Sequence, residues 1–202
     1  MLKPFIVTIA ALTLAAPAAI AQSAPLPAGV YQMDRGHASL HWKINHLGLS
    51  NYTARFTRFE ATLDIDPAKP EAAKLAVTVD PTSIRTDYPF AERKDFDKEL
   101  IEDADFFNTA KFPKITFTST KIERTGEKTA KVTGNLTLLG VTKPLTIDAT
   151  LNAAKEHPGN KKPALGFSAT AKLKRSDFGM TTRAAFLGDE VTLLIEAEFI
   201  KS

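Results

Sequence analysis

In Ser39-Leu40-His41-Trp42-Lys43-Ile44-Asn45-His46 the apolar residues fall at every second position. That period sends alternate side chains to opposite faces of an extended chain, so Leu40, Trp42, Ile44 and His46 form one row. His41, Lys43 and Asn45 form the other, wetter row. The same period recurs in Phe59-Ala61-Leu63-Ile65, in Leu75-Val77-Val79, and from Ile115 and Phe117 onward after Pro113. It continues in Val132-Gly134-Leu136-Leu138 and, after Lys143-Pro144, in Leu145-Ile147-Ala149-Leu151. The last two runs are Leu165-Phe167-Ala169-Ala171-Leu173 and Val191-Leu193-Ile195-Ala197-Phe199. Phe56 is out of step with Phe59, which predicts a bulge between them. Only Phe96, Leu100, Ala104 and Phe107 fall at helical spacing. They predict one short amphipathic helix, about Asp95 to Phe107, between the third and fourth strands.

Eight half-buried strands joined by short turns must hide their edges, and closing the sheet on itself does so completely. The expectation is an all-β fold: an eight-stranded antiparallel barrel carrying one helix. A barrel of this size is filled by side chains or holds one small ligand. Ala61, Ser119, Gly134, Ala149, Ala169, Ala171 and Ala197 are small residues on the inward rows. They suggest spare room inside; the alternative is a taper in which small and large residues pack the interior solid.

The amino-terminal stretch has the form of a secretory leader. Lys3 precedes an uncharged run from Phe5 to Ile20 that ends in Ala19-Ile20-Ala21, an A-x-A cleavage pattern. Its strongly apolar part is shorter than the roughly 20 residues a membrane span requires. Residues 1–21 are therefore expected to be removed and residues 22–202 to form one exported domain with no membrane span. The chain has no cysteine, which excludes disulfides, thiolate metal sites and a cysteine nucleophile. Its 26 basic and 23 acidic residues are interspersed, so no nucleic-acid-binding stripe is predicted.

Catalytic signatures are weak. No serine stands in a Gly-x-Ser-x-Gly elbow, and there is no phosphate-cradling glycine loop. His37 and His41 stand four apart, but on a strand they point outward, away from the Trp42–Ile44 row, and no metal site is expected. His46 continues the inward row at a strand end; it is read as a structural histidine first and a ligand contact second. The loop from Ser176 to Gly188 carries Phe178, Met180, Phe186 and Leu187 between Gly179 and Gly188. It is either a mouth for an apolar ligand or a plug for the barrel end.

Several ordered segments carry a resemblance. Asp34-Arg35-Gly36-His37-Ala38-Ser39 followed by Trp42-Lys43-Ile44-Asn45-His46-Leu47-Gly48 resembles the amino-terminal signature of the YceI-like family. So do Ser83-Ile84-Arg85-Thr86, Asp105-Phe106-Phe107, Phe117-Thr118-Ser119-Thr120, the run from Gly134 to Pro144, and Arg175-Ser176-Asp177-Phe178-Gly179. The resemblance implies a lipocalin-like periplasmic barrel, stress-associated in some relatives and dimeric in others, so a homodimer stays open here. It further implies that an isoprenoid-like lipid, of the polyprenyl phosphate or quinone type, occupies the interior, with no cofactor. The chain departs from the family pattern before Asp105, where Leu100 stands at a position often held by histidine.

On that reading the candidate lining is Trp42, Ile44, Phe56, Phe59, Leu63, Phe117, Leu136, Phe167 and Phe199. Phe178 and Phe186 are expected at the mouth, and Arg175 and His46 as head-group partners. Two rival readings remain: an enzyme acting on an amphiphilic substrate through His46, and a structural partner of a membrane redox protein.

Overall fold

The alternating runs become strands in a computed structural model that describes residues 26–202; the expected leader lies outside the described residues. Eleven strands join in one antiparallel sheet. They are β1 (Gly29–Met33), β2 (Ser39–His46), β3 (Ser50–Phe56), β4 (Phe59–Ile65), β5 (Lys74–Val79) and β6 (Ile84–Arg85). The rest are β7 (Ile115–Arg124), β8 (Thr129–Leu138), β9 (Val141–Glu156), β10 (Pro163–Lys174) and β11 (Leu187–Lys201). The order β1-β4-β5-β7-β8-β9-β10-β11 closes where β1 pairs back onto β11, giving an eight-stranded antiparallel barrel.

The three other strands lengthen that wall rather than add to its girth. β2 follows β1 along the same edge of β11, β3 pairs with β2, and β6 pairs with β3. In chain order β1–β2, β3–β4 and β5–β6 are each one long strand broken at a corner. Side-chain oxygens make the corners. Asp34 Oδ1 accepts the Gly36 N–H at 2.8 Å, and Asp80 Oδ1 accepts the Thr82 N–H at 2.8 Å. The bulge expected between Phe56 and Phe59 is such a corner. There Thr57 and Arg58 leave the ladder and donate their N–H groups to the Ser83 carbonyl (3.1 Å) and the buried Ser83 Oγ (2.9 Å). A buried hydroxyl takes the donor that the broken ladder would otherwise strand.

Helix α1 covers Phe96–Glu102, capped by Asp95 accepting the Lys98 N–H at 2.9 Å. It stops well before the expected Phe107. Asp103 turns extended and its side chain accepts the Asp105 N–H at 2.8 Å, a local bond that competes with continuing the helix. α1 rides on an excursion of the chain between β6 and β7, which do not pair with each other. Its Leu100 and the following Phe106 pack against Leu40, Phe56, Val79 and Ile84. Among the described residues no helix is long and apolar enough to cross a membrane.

The interior differs between the two ends. At one end Tyr31, Leu63, Leu165 and Phe199 pack with Phe59 and Phe167. The Phe167 and Phe199 rings meet edge to face at 6.0 Å. Tyr31 is fully buried and its hydroxyl donates to the Pro27 carbonyl at 2.6 Å. Each such apolar side chain contributes about 1.5–3 kcal/mol through burial. Ala61 and Ala197 belong to this end, so there small residues make room for aromatic neighbours, as the solid-taper alternative requires. Gly134 serves the same purpose further along: a Cβ there would stand 2.5 Å from the Phe117 ring.

Candidate functional site

The other end is hollow, and the reason lies in the wall. A neighbouring strand adds about 4.8 Å to a barrel's girth, whereas a packed helix needs about 10 Å. The excursion that replaces a β6–β7 ladder therefore spreads the barrel on that side, and a cavity of about 790 Å³ results. At organic packing density it has room for roughly thirty methylene-sized groups.

β2 supplies the alternating row Leu40, Trp42, Ile44 and His46 to the cavity. The ends of β8 and β11 add Leu136, Leu138, Val191, Leu193 and Ile195. The excursion adds Tyr88, Phe96, Leu100, Phe106 and Phe107, and the β10–β11 loop adds Arg175, Met180, Arg183 and Phe186. Phe96 of the excursion meets two aromatic side chains edge to face: Tyr52 of β3 at 5.9 Å and Tyr88 of the excursion at 5.7 Å. Tyr52 also donates its hydroxyl to the Thr86 carbonyl at 3.1 Å, and burial raises its pKa above the ordinary value.

Few polar groups face this apolar space. Arg175 is 5 % exposed, yet its guanidinium reaches only carbonyls: Nε donates to Gly188 at 3.1 Å and Nη1 to Thr182 at 2.7 Å. The neighbouring Asp189 carboxylate is turned to Ser176, accepting from its N–H at 2.9 Å and its hydroxyl at 2.8 Å. Those two bonds hold Asp189 below the ordinary carboxylate range, helped by the charges of Arg175 and Lys174. A buried guanidinium without a paired carboxylate is costly, and its spare N–H groups favour an anionic oxygen. Trp42 adds a second free donor, a buried Nε1–H with no hydrogen-bond partner. His46 lies exposed at the rim; among the described residues the histidines within ion-pair distance of a carboxylate are His37 and His157.

Eight of the residues named from sequence meet at the cavity: Trp42, Ile44, His46, Phe56, Phe117, Leu136, Arg175 and Phe186. The structure places the others elsewhere. Phe59, Leu63, Phe167 and Phe199 face inward but belong to the filled end. Phe178, expected at the mouth, is buried beside Leu138, Leu145 and Met180, because the short turn Arg175–Phe178 folds it under the loop. That loop thus does both things left open: Phe178 plugs the wall while Phe186 stands at the cavity's edge. None of the seven small inward residues lines the cavity. Sequence reasoning missed the excursion's contribution; the one signal for it was the clustering of Tyr88, Phe90 and Phe96 in a stretch without strand period.

Asp34, His37 and Glu198 bring three metal-ligand types within 4.8 Å of one another on the outer wall. His37 Nδ1 is already committed to Asp34 Oδ2 at 2.9 Å, and Asp34 to its own corner. None of the three lines the cavity.

Comparison with known proteins agrees with this architecture. Residues 31–199 match the YceI-like domain family. Protein YceI of Salmonella arizonae is 40 % identical over 176 residues, covering 86 % of this chain and 88 % of that protein. The crystal structure of the Campylobacter jejuni YCEI protein superposes with a TM-score of 0.67 at 35 % identity, covering 78 % of this chain and 90 % of the other. A polyisoprenoid binding domain from Saccharophagus degradans, implicated in plant cell wall breakdown, superposes with a TM-score of 0.61 at 13 % identity. It covers 85 % of this chain and 98 % of that one, and at this identity the likeness shows the fold. The chain belongs to the YceI-like family.

Proposed function

We propose that the cavity holds the tail of a long isoprenoid or similar amphiphile, and that the protein carries this lipid in the periplasm. One observation carries the reading: a continuous cavity of about 790 Å³ with apolar walls and a buried Arg175 whose hydrogen bonds, among the described residues, go to carbonyls and not to a carboxylate. Burying several hundred Å² of tail at about 25 cal/mol per Å² contributes on the order of 10 kcal/mol, comparable with the usual cost of association. Arg175 suits an acidic or strongly accepting head group, such as a polyprenyl phosphate or a quinone. The Saccharophagus degradans domain, named for polyisoprenoid binding, supports the tail assignment. Periplasmic residence rests on the leader, and mature protein beginning at Gln22 in a periplasmic fraction would support it.

Trp42 is the chain's one tryptophan and lines the cavity, so its emission reports occupancy directly. Titration of lipid-stripped protein with prenols of increasing length is expected to give a saturable, one-site change whose affinity rises with chain length. Unaltered emission with every prenol would overturn the reading.

A further inference from the structure

The rim of the cavity has a chemistry that tail binding does not require. Leu49 is 85 % exposed, Phe186 56 % and Leu47 50 %. These bulky apolar side chains sit on two tips, the β2–β3 hairpin and the β10–β11 loop, whose flanking residues His46, Ser50 and Leu187 line the cavity. The tips are tied together, the Leu47 N–H donating to the Phe186 carbonyl at 2.8 Å. Neither carries a charged residue between His46 and Arg55 or between Arg183 and Asp189.

The backbone of these tips matters as much as their side chains. The Gly48 N–H is taken by Asn45 Oδ1 at 2.8 Å and the Leu49 N–H by the His46 carbonyl at 3.0 Å. The Phe186 and Leu187 N–H groups go to the Arg183 carbonyl at 2.9 and 3.0 Å. Leu47 and Gly48 adopt positive φ, 55° and 70°, to make this turn. The amides of the exposed apolar residues themselves, Leu47, Leu49 and Phe186, are thus paired within the protein, which entry into hydrocarbon favours, since each unpaired donor there costs several kcal/mol. Neither tip offers a protein partner a carboxylate, lysine or arginine side chain to pair with.

We propose that the Leu47–Leu49 hairpin tip and Phe186 form a wedge that enters the apolar layer of a phospholipid bilayer, placing the cavity mouth against the membrane. The proposal rests on the carrier reading for its purpose: a tail then passes between bilayer and cavity without crossing water. Arg183, behind the wedge and bonded to Glu99 at 2.6 Å, stays at the head-group level.

The test uses vesicles of phosphatidylethanolamine and phosphatidylglycerol with the Leu47→Ser/Leu49→Ser protein, since neither residue lines the cavity. Wild-type protein is expected to float with the vesicles, and the double variant to lose about tenfold or more of that binding. The Trp42 response to soluble farnesol should be the same in both proteins, which also shows that the variant is folded. Because the chain has no cysteine, Leu49→Cys takes an environment-sensitive dye at one place, and its emission should shift blue on vesicle addition. Absence of flotation with the Trp42 response intact overturns the wedge and leaves the carrier. Flotation without any Trp42 response removes the carrier and leaves the wedge. A dye shift that follows protein concentration without vesicles assigns the tip to a second copy of the chain and overturns the proposal.

Discussion

Leu63→Ala and Leu193→Ala remove the same atoms from the two ends of the barrel, and a filled end and a hollow end must respond to that loss differently. Leu63 is 6 % exposed and packed among Tyr31, Ala61 and Phe199. Its cross-strand neighbours Tyr31 and Leu75 hold it on both sides. Truncation there leaves a closed void that rigid strands cannot collapse, so the cost sits inside the usual Leu→Ala range, about 3–4 kcal/mol. Leu193 lies opposite Trp42 and Ala171, but its tip faces the cavity. That side of the side chain already lacks contact partners, and truncation only enlarges an existing space; about 1–2 kcal/mol is expected. For a protein of this size the difference corresponds to several degrees in Tm. Urea unfolding of lipid-stripped protein, with unchanged m, reads both values. In the Trp42 titration Leu193→Ala should weaken prenol binding while Leu63→Ala leaves it intact. Equal destabilisation, or weaker binding for Leu63→Ala, would refute the division into a filled and a hollow end.

Arg175→Met is expected to remove preference for an acidic head group. Wild-type protein should bind a prenyl phosphate about tenfold or more tighter than the matching prenol, and the variant should bind both alike; an unchanged ratio by competition titration would count against Arg175. Gly134→Ala should destabilise by about 3 kcal/mol in thermal denaturation, because the new Cβ would lie 2.4 Å from the Thr118 carbonyl oxygen on the paired strand; wild-type Tm in this variant would contradict the packing. The Asp34–His37 corner should be pH-dependent. The bond to Asp34 and its charge raise His37 above 6.5, and the bond to His37 lowers Asp34 below 3.8. The histidine's contribution is therefore full at low pH and lost as pH rises through its raised value, while the aspartate's is full above its ordinary range and lost as pH falls through its lowered one. The charged pair is strongest between these limits. An NMR titration should find His37 above 6.5 and Asp34→Asn should bring it back down; no movement would break the link.

Much of the fold was legible because the strand period is local. The Leu40–His46 row alone gives an inward face, and it lines the cavity in the register expected. The corners were harder. Phe56 and Phe59 lose step over two residues, which reads equally as a bulge, and only the buried Ser83, distant in sequence, makes it a corner. β1 was missed because five residues with one strongly buried aromatic, Tyr31, give too short a period to detect. The cavity was misread for a physical reason. Ala61, Ala197 and Gly134 look like missing volume when counted strand by strand, but Phe199 and Phe117 fill that volume from across the barrel. The true space comes from β6 failing to pair with β7, a relation between segments some thirty residues apart that no local pattern records. Arg175 was legible as a charge in a motif, while its lack of a carboxylate partner needed coordinates.

Native mass spectrometry of protein purified from its own host tests the central claim most directly. One amphiphile per chain is expected, released as a prenyl-type lipid and replaced on incubation of the stripped protein with a prenyl phosphate. Bare protein that takes up no prenyl lipid after stripping would contradict it.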